Sequence, residues 1–427
     1  MIILKFFHIQ FDRRFVFCCL IAVLPIACCD NGNCPKVPQE FVTPAKVEAA
    51  GFNSESLRRV DSLMAFYVRN GTMANFASFV ARNGKVVHHK AYGYRDADKI
   101  PLQTDDIFRW ASQTKAITTV ALLTLFEENK FMLDDPIDKY LPMFSDPQVY
   151  VSGSAENGDL VTRPAKRKIT VRHLLSHSSG YSYRSFGQDL QVIHYAQPVA
   201  TREVVERIAR TPLMHDPGEK FTYGFGIDIA GHLAEVLSGK NLYQLMKERI
   251  FDPLEMHDTH FYLPPEKHDR LVKVYTRPSE TARYSIATNE TEQIYPLASN
   301  QPYHGGGAGL CGTIENYARF CQMILNKGEF NGKRILGRKT VELMYVNQLL
   351  DVEGTYRFSL GFEIDSHRNS LRTMVSEGTL KWGGAYGTQY FIDPKENMIV
   401  LFYTNASGWH NPSVHDRFLI SVYQALK

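Results

Sequence analysis

The chain of 427 residues is 44% hydrophobic and 12% aromatic, and carries a formal charge of +3. At that length and apolar content it buries a large core, as one large module or two close-packed lobes, which excludes an intrinsically disordered chain. The charge is nearly balanced and no basic run exceeds Lys166-Arg167-Lys168, which leaves no electrostatic footprint for nucleic acid and favours a neutral or mixed partner.

The first element is an apolar run from Phe15 to Cys29 behind Arg13 and Arg14. It predicts a signal peptide or signal anchor over residues 1–29, and so a protein that is secreted, or extracytoplasmic and tethered to a membrane. The LPIAC tract is a poor lipid-attachment box, with proline where leucine is wanted. A linker over residues 30–50 and one catalytic domain over 51–427 follow. Outside the leader only Cys34, Cys311 and Cys321 remain, which allows at most one disulfide. Sequons begin at Asn70, Asn289 and Asn405, and matter only if a eukaryotic secretory pathway made the chain.

Next, SESLRRVDSLMAFYVRN places Leu57, Val60, Leu63, Met64 and Tyr67 at helical spacing. The segments FASFVAR and KVVHHKAYG flank Asn83-Gly84, a β-hairpin signal, and a long helix starts at Ser112. Roughly residues 130 to 300 show mainly helical periodicity, with helices over Thr201 to Arg210, Ile227 to Ser238 and Leu242 to Phe251. YFIDPKENMIVLFYTN then reads as two more strands around a turn, and Val414 to Leu426 as a closing helix. The order predicts an α+β fold: an antiparallel sheet flanked by terminal helices, with a helical lobe (roughly residues 111–300) inserted and the active site in the cleft between them. No fixed-period repeat suggests a solenoid.

Chemistry concentrates in FRWASQTKAITTVALLTL. Ser112-Gln113-Thr114-Lys115 is the only S-x-x-K in the chain. Positions three apart share a helix face, so the Lys115 amine lies beside the Ser112 hydroxyl. A serine at a helix start meets the dipole and free N–H groups that stabilise an attacking oxygen, and burial by the apolar run favours the uncharged amine a general base needs. Alone, the same pair reads equally well as an N-cap serine beside a solvated lysine. Two further segments bear on the choice: Pro217-Gly218-Glu219-Lys220-Phe221-Thr222-Tyr223-Gly224-Phe225, and the glycine-rich Leu380-Lys381-Trp382-Gly383-Gly384-Ala385-Tyr386-Gly387-Thr388.

Ser112, Tyr223 and the latter segment stand in the order of the S-x-x-K, Y-x-N and K-T-G boxes of serine β-lactamases and penicillin-binding proteins. Phe108 to Lys115, Ile169-Thr170-Val171-Arg172-His173-Leu174-Leu175-Ser176-His177-Ser178-Ser179-Gly180 and Gly305-Gly306-Gly307-Ala308-Gly309-Leu310 resemble signature blocks of the class C β-lactamase-related superfamily, and Trp382-Gly383-Gly384 is similar to the third box of family VIII carboxylesterases. The resemblance spans roughly residues 50 to 425. It implies a β-lactamase/transpeptidase-like fold and acyl transfer without cofactor or metal. Ser112 would be the nucleophile, Lys115 and Tyr223 would share the proton, and the N–H groups of Ser112 and Ala385 would form the oxyanion hole, with Gly384 replacing Ala385 in another register.

Two departures shape the substrate expectation. Phe225 stands where the lactamases carry an asparagine that holds a side-chain amide, a bond phenylalanine cannot make. In the third box, either Trp382 replaces the lysine, or Lys381 keeps the cation and Trp382 replaces the threonine. Neighbours on a strand face opposite ways, so one of them lines the site, and Trp382 is favoured. Phe225, Trp382, Gly383 and Gly384 are then the expected substrate-binding residues, for a small-molecule acyl substrate such as an uncharged ester of small or medium size. The alternatives are a β-lactamase or D-Ala-D-Ala peptidase, an acyltransferase, and an inactive scaffold or filament-forming member of the family. Tyr181, Tyr183, Tyr303 and His304 are further candidates for the cleft. His173 and His177, four apart but without H-E-x-x-H, read as structural. The absence of G-x-S-x-G argues against an α/β-hydrolase.

Overall fold

In the computed structural model, alternation along the strands sorts their side chains between two cores. The described residues are 37–184, 186, 199–279, 282–289, 293, 295–297, 302–352, 354, 356–407 and 412–427; the predicted signal segment and Cys34 lie outside them. Strands β1 (Asn75–Arg82) and β2 (Lys85–Gly93) form the predicted hairpin, with φ of 53° at Asn83 and 72° at Gly84, the positive values a tight hairpin turn demands. With β3 (Glu363–Ile364), β4 (Leu380–Gly383), β5 (Gln389–Asp393) and β6 (Met398–Tyr403) they build a six-stranded sheet in the order β3-β4-β5-β6-β1-β2. Every neighbouring pair is antiparallel.

Five helices, α1 (Ser54–Arg69), α2 (Thr114–Glu127), α3 (Gly226–Ser238), α4 (Ile314–Leu325) and α5 (Pro412–Tyr423), frame this sheet and the site. Phe76, Val80, Phe391, Val400 and Phe402 pack outward with Leu57, Val60 and Met64 of α1 and Phe418 and Val422 of α5. Ala77, Phe79, Tyr390, Ile392, Ile399, Leu401 and Tyr403 pack inward with residues of α2, α3 and α4. The sheet therefore takes strands from both ends of the chain, and the mainly helical segment between β2 and β3 lies against its inner face. The α+β expectation holds for this reason.

Helix α2 is buried from Thr114 to Leu125. A helix apolar on every side belongs in a core, and each large aliphatic buried there contributes about 1.5–3 kcal/mol. Helix α2 packs along α3, so the segments carrying Ser112 and Tyr223 are braced against each other.

Several boundaries differ from the sequence reading. The chain takes one 3₁₀ turn, Ala111–Gln113, before α2 begins. The predicted helix over Leu242 to Phe251 is an α-turn, Leu242–Met246, that widens into a π-turn, Lys247–Phe251. A hairpin of Gln148–Ser152 and Val161–Pro164 stands in the stretch read as helical. Pro38–Lys427 forms one compact unit, and Val42, read as linker, bridges to Lys85. Cys311 and Cys321 are buried free thiols. Asn405 is buried, with its amide donating to the carbonyls of Arg109 and Thr404, so its sequon is structural; Asn70 is exposed after α1. Among the described residues no helix is long and apolar enough to cross a membrane.

Candidate active site

The turn that carries Ser112 is tied down on both sides. Phe108–Arg109 pairs with Cys311–Gly312, and the Trp110 N–H donates to Leu310 O at 2.9 Å. The buried Arg109 guanidinium donates to the carbonyls of Tyr295, Val272 and Gln293 at 2.7, 2.7 and 2.8 Å, and its backbone N–H donates to Asn405 Oδ1 at 3.0 Å. With its ends held, the backbone turns through Ala111 at φ 45°, a left-handed value costing a side-chain-bearing residue about 1–2 kcal/mol. That turn sets Ser112 at the head of α2.

Lys115, one turn on, is buried, and its Nζ donates to Ser112 Oγ at 3.3 Å and to Gly307 O at 2.6 Å. Tyr223, from the segment leading into α3, places its ring 4.8 Å from the same nitrogen. Burial pushes the Tyr223 phenol up, but the Lys115 cation beside it, with the Ser112 hydroxyl and the Trp382 indole next to its oxygen, outweighs burial and holds it below the ordinary tyrosine value. A depressed phenol next to an amine and a hydroxyl is the arrangement proton transfer from the serine requires.

The register of β4 settles the placement of its two candidates. Trp382 lies opposite Tyr390, on the inward face with Leu380, whereas Lys381 lies opposite Phe391, on the outward face. Accordingly the Trp382 ring sits 5.1 Å from that of Tyr223, and its Nε1–H donates to Tyr223 Oη at 3.4 Å. Lys381 turns away, its Nζ 3.3 Å from Glu363 Oε1 and 3.2 Å from Asp365 Oδ1. Gly384 donates its N–H to Thr388 O at 2.8 Å, which removes it as an oxyanion donor. The N–H groups of Ser112 and Ala385 have no hydrogen-bond partner among the described residues. A cavity of about 450 Å³ joins Ser112, Tyr223, Trp382 and Ala385, and continues past the open end of β4 to the Lys381, Glu363 and Asp365 cluster and to Arg372 and His415.

Phe225 is placed differently from the expectation. It is 2% exposed and lies in the core under Tyr183, whose ring meets it edge-on at 4.6 Å. Tyr183, 44% exposed, is the residue of this pair that reaches the cleft, 5.4 Å from Tyr223 and 5.5 Å from Lys115 Nζ. Tyr181 and Tyr303 are core residues, and His304 stacks on Tyr243. Most of the rim expected over Tyr183 to Pro198 lies outside the described residues.

Three residues given no role by the sequence reading complete the site. His177 packs its buried ring 4.7 Å from Tyr223, and burial, helped by the Lys115 cation, holds the imidazole far below its ordinary value and hence neutral. Gly307 supplies the carbonyl that Lys115 binds, and Asp228 of α3 accepts the Gly307 N–H at 3.0 Å. The glycine block carried a partial signal, because only glycine brings that backbone so close: a Cβ at Gly306 would meet Ile227 O at 2.4 Å. His173 instead caps its helix, its Nδ1 accepting the Thr170 N–H at 3.1 Å.

Known proteins resemble this chain in sequence and in fold. The family model described as Beta-lactamase matches residues 60–425. Protein Rv1367c of Mycobacterium tuberculosis is 30% identical over 350 residues, which cover 78% of this chain and 86% of that protein. Lovastatin esterase of Penicillium rubens is 29% identical over 342 residues, 74% of this chain and 84% of the esterase. Among solved structures, EstCE1, described as a hydrolase with promiscuous acyltransferase activity, has a TM-score of 0.72 at 25% identity, covering 86% of this chain and 99% of its own. The chain belongs to the Beta-lactamase family and is a serine hydrolase or acyl-transfer enzyme.

Proposed function

We propose that the protein is a carboxylesterase-like serine hydrolase acting on uncharged esters of small to medium size. The observation that carries this reading is the aromatic wall beside Ser112: Trp382 packs on Tyr223, while the cation of the same strand is bound by two carboxylates on the other face. An apolar wall stabilises a neutral acyl group, and the two cations that line the same cavity, Lys381 and Arg372, are already paired with Glu363, Asp365 and Asp416, which disfavours the carboxylate of a penicillin or a D-Ala-D-Ala terminus.

Ser112 Oγ attacks the ester carbonyl carbon and its proton passes to the Lys115 and Tyr223 pair. The N–H groups of Ser112 and Ala385 receive the negative charge on the carbonyl oxygen. Collapse breaks the bond to the alcohol oxygen, which takes the proton back from the pair. Water, activated by the same pair, then releases the acyl group as a carboxylic acid and restores Ser112. A second alcohol in place of water makes the enzyme an acyltransferase. The extension of the cavity past Ala385 favours that second reading by leaving room for an acceptor, and lovastatin esterase and EstCE1 bear names from both reaction types. We also place the protein outside the cytoplasm, secreted or tethered by residues 1–29, on the leader-like sequence alone; N-terminal sequencing of the mature protein and cell fractionation test this.

The decisive experiment is intact-mass detection of a fluorophosphonate adduct on Ser112, absent in Ser112→Ala, followed by comparison of p-nitrophenyl butyrate with a chromogenic cephalosporin. An adduct with faster ester turnover is expected. No adduct with any probe overturns the enzymatic reading in favour of a scaffold, and faster lactam turnover overturns the ester preference.

A further inference from the structure

Lys115 is held from behind by a chain of contacts ending in a carboxylate outside the cavity. Its Nζ donates to Gly307 O at 2.6 Å, a shorter contact than the 3.3 Å to Ser112 Oγ. The Gly307 N–H donates to Asp228 Oδ1 at 3.0 Å, and the carbonyl just before it, Gly306 O, accepts from Thr118 Oγ1 at 2.7 Å. The glycine segment is thus clamped to α2 through Thr118 and Lys115 and to α3 through Asp228. Asp228 is in the first turn of α3, directly after the segment bearing Tyr223.

Clamping alone does not require a charged group, because a neutral amide oxygen would accept the Gly307 N–H equally well. Yet a carboxylate is buried here, and its Oδ2 has no hydrogen-bond partner among the described residues. It presses so closely on Gly307 that a Cβ there would stand 2.2 Å from Oδ2. A buried carboxylate with an unpartnered oxygen is costly unless a cation offsets it. The ammonium of Lys115, one residue away through Gly307, is that cation: burial raises the Asp228 carboxyl and Lys115 opposes the rise. The other titratable groups around Lys115 are Tyr223, Tyr183 and the neutral His177.

We infer that Asp228 is a positioning residue, which through Gly307 fixes the place of the Lys115 amine and balances the positive charge there during proton transfer from Ser112. The inference rests on the acyl-enzyme reading of the site. An anion behind Lys115 also opposes loss of the proton from the neighbouring Tyr223 phenol, so replacing it by a neutral group moves the limb set by Tyr223 to lower pH, while the slackened clamp slows the step.

The test is Asp228→Asn in the full chain, with active sites counted by fluorophosphonate titration so that losses of folded enzyme are divided out. Expected are a kcat per titrated site lower by about tenfold, KM within about twofold, and an acid limb of kcat/KM moved to lower pH. Thr118→Val, which loosens the same loop without touching a charge, is expected to lower kcat and leave the limb in place. Gly307→Ala, whose methyl meets Oδ2, reads the link from the other side if the asparagine variant does not fold, with the same drop and limb shift expected. An unchanged kcat per site and an unmoved limb in Asp228→Asn, even with a lower Tm, would show a structural residue and overturn the inference. Wild-type enzyme that cannot be titrated at all instead refutes the acyl-enzyme reading.

Discussion

Lys381 and Trp382 are adjacent on β4, yet one is a half-buried ion pair on the outer face of the sheet and the other a wall of the cavity. Trp382 faces inward onto Tyr223 and Phe358, the latter at 5.4 Å and nearly perpendicular. Lys381 faces outward and is bound by Glu363 and Asp365. The difference teaches that the chemistry of this box depends on which face the neighbouring strand covers, since alternate residues necessarily separate.

That contrast can be broken by substitution. The largest effect is expected on the inward face with Tyr223→Phe, which keeps the ring but removes the proton carrier; kcat/KM should fall about 10³-fold. In the wild type, kcat/KM should rise with pH along a limb lying below the value of about 10 for free tyrosine, because the Tyr223 phenol is depressed, and the limb should vanish in the variant. A wild-type limb at or above that value would show that the phenol is not depressed by Lys115.

Trp382→Ala should lower kcat/KM for butyrate esters by about 10- to 100-fold, equivalent to about 1.4–2.8 kcal/mol, through loss of the wall and of the indole donor to Tyr223. Gly384→Ala should cost about tenfold in kcat, because the added Cβ would lie 2.2 Å from Trp110 O and push β4 away from the Ser112 turn. A turnover number equal to the wild type would mean that the strand end has slack and does not gate the geometry.

The smallest catalytic effect is expected on the outward face. Lys381→Met should leave kcat/KM within about twofold and lower unfolding free energy by about 2 kcal/mol, read by chemical denaturation. Burial already raises the Glu363 carboxyl, against the pull of Lys381. Without the lysine it rises further above its unfolded value, so the variant's deficit should be least at acidic pH, where Glu363 is protonated, and grow as pH rises through the folded value. A large activity loss in Lys381→Met with little in Trp382→Ala would reverse the assignment of faces.

Local features were legible from sequence for a local reason. Asn83-Gly84 supplies the positive φ a hairpin needs, and Ser112 and Lys115 are placed by helical spacing with an apolar run behind them. The hairpin over Gln148–Ser152 and Val161–Pro164 escaped notice because it is largely exposed and lacks apolar alternation. Box position says nothing of depth: Phe225 lies below the site, and Tyr183 covers it on the exposed side. Asp228 carries no pattern of its own, and the block around His177 does not name its neighbour; each packs on a partner distant in the chain, Gly307 and Tyr223 respectively.

Short-range patterns were enough to put Ser112 beside Lys115, to form the hairpins at the two ends and to give the α+β order, since each depends on residues a few positions apart. Only the tertiary structure decided that Trp382 faces Tyr223, that Gly384 is spent on Thr388, and that Asp228 stands behind Lys115. Those outcomes depend on strand register and on close backbone approach between segments far apart in the chain, which period and propensity do not encode.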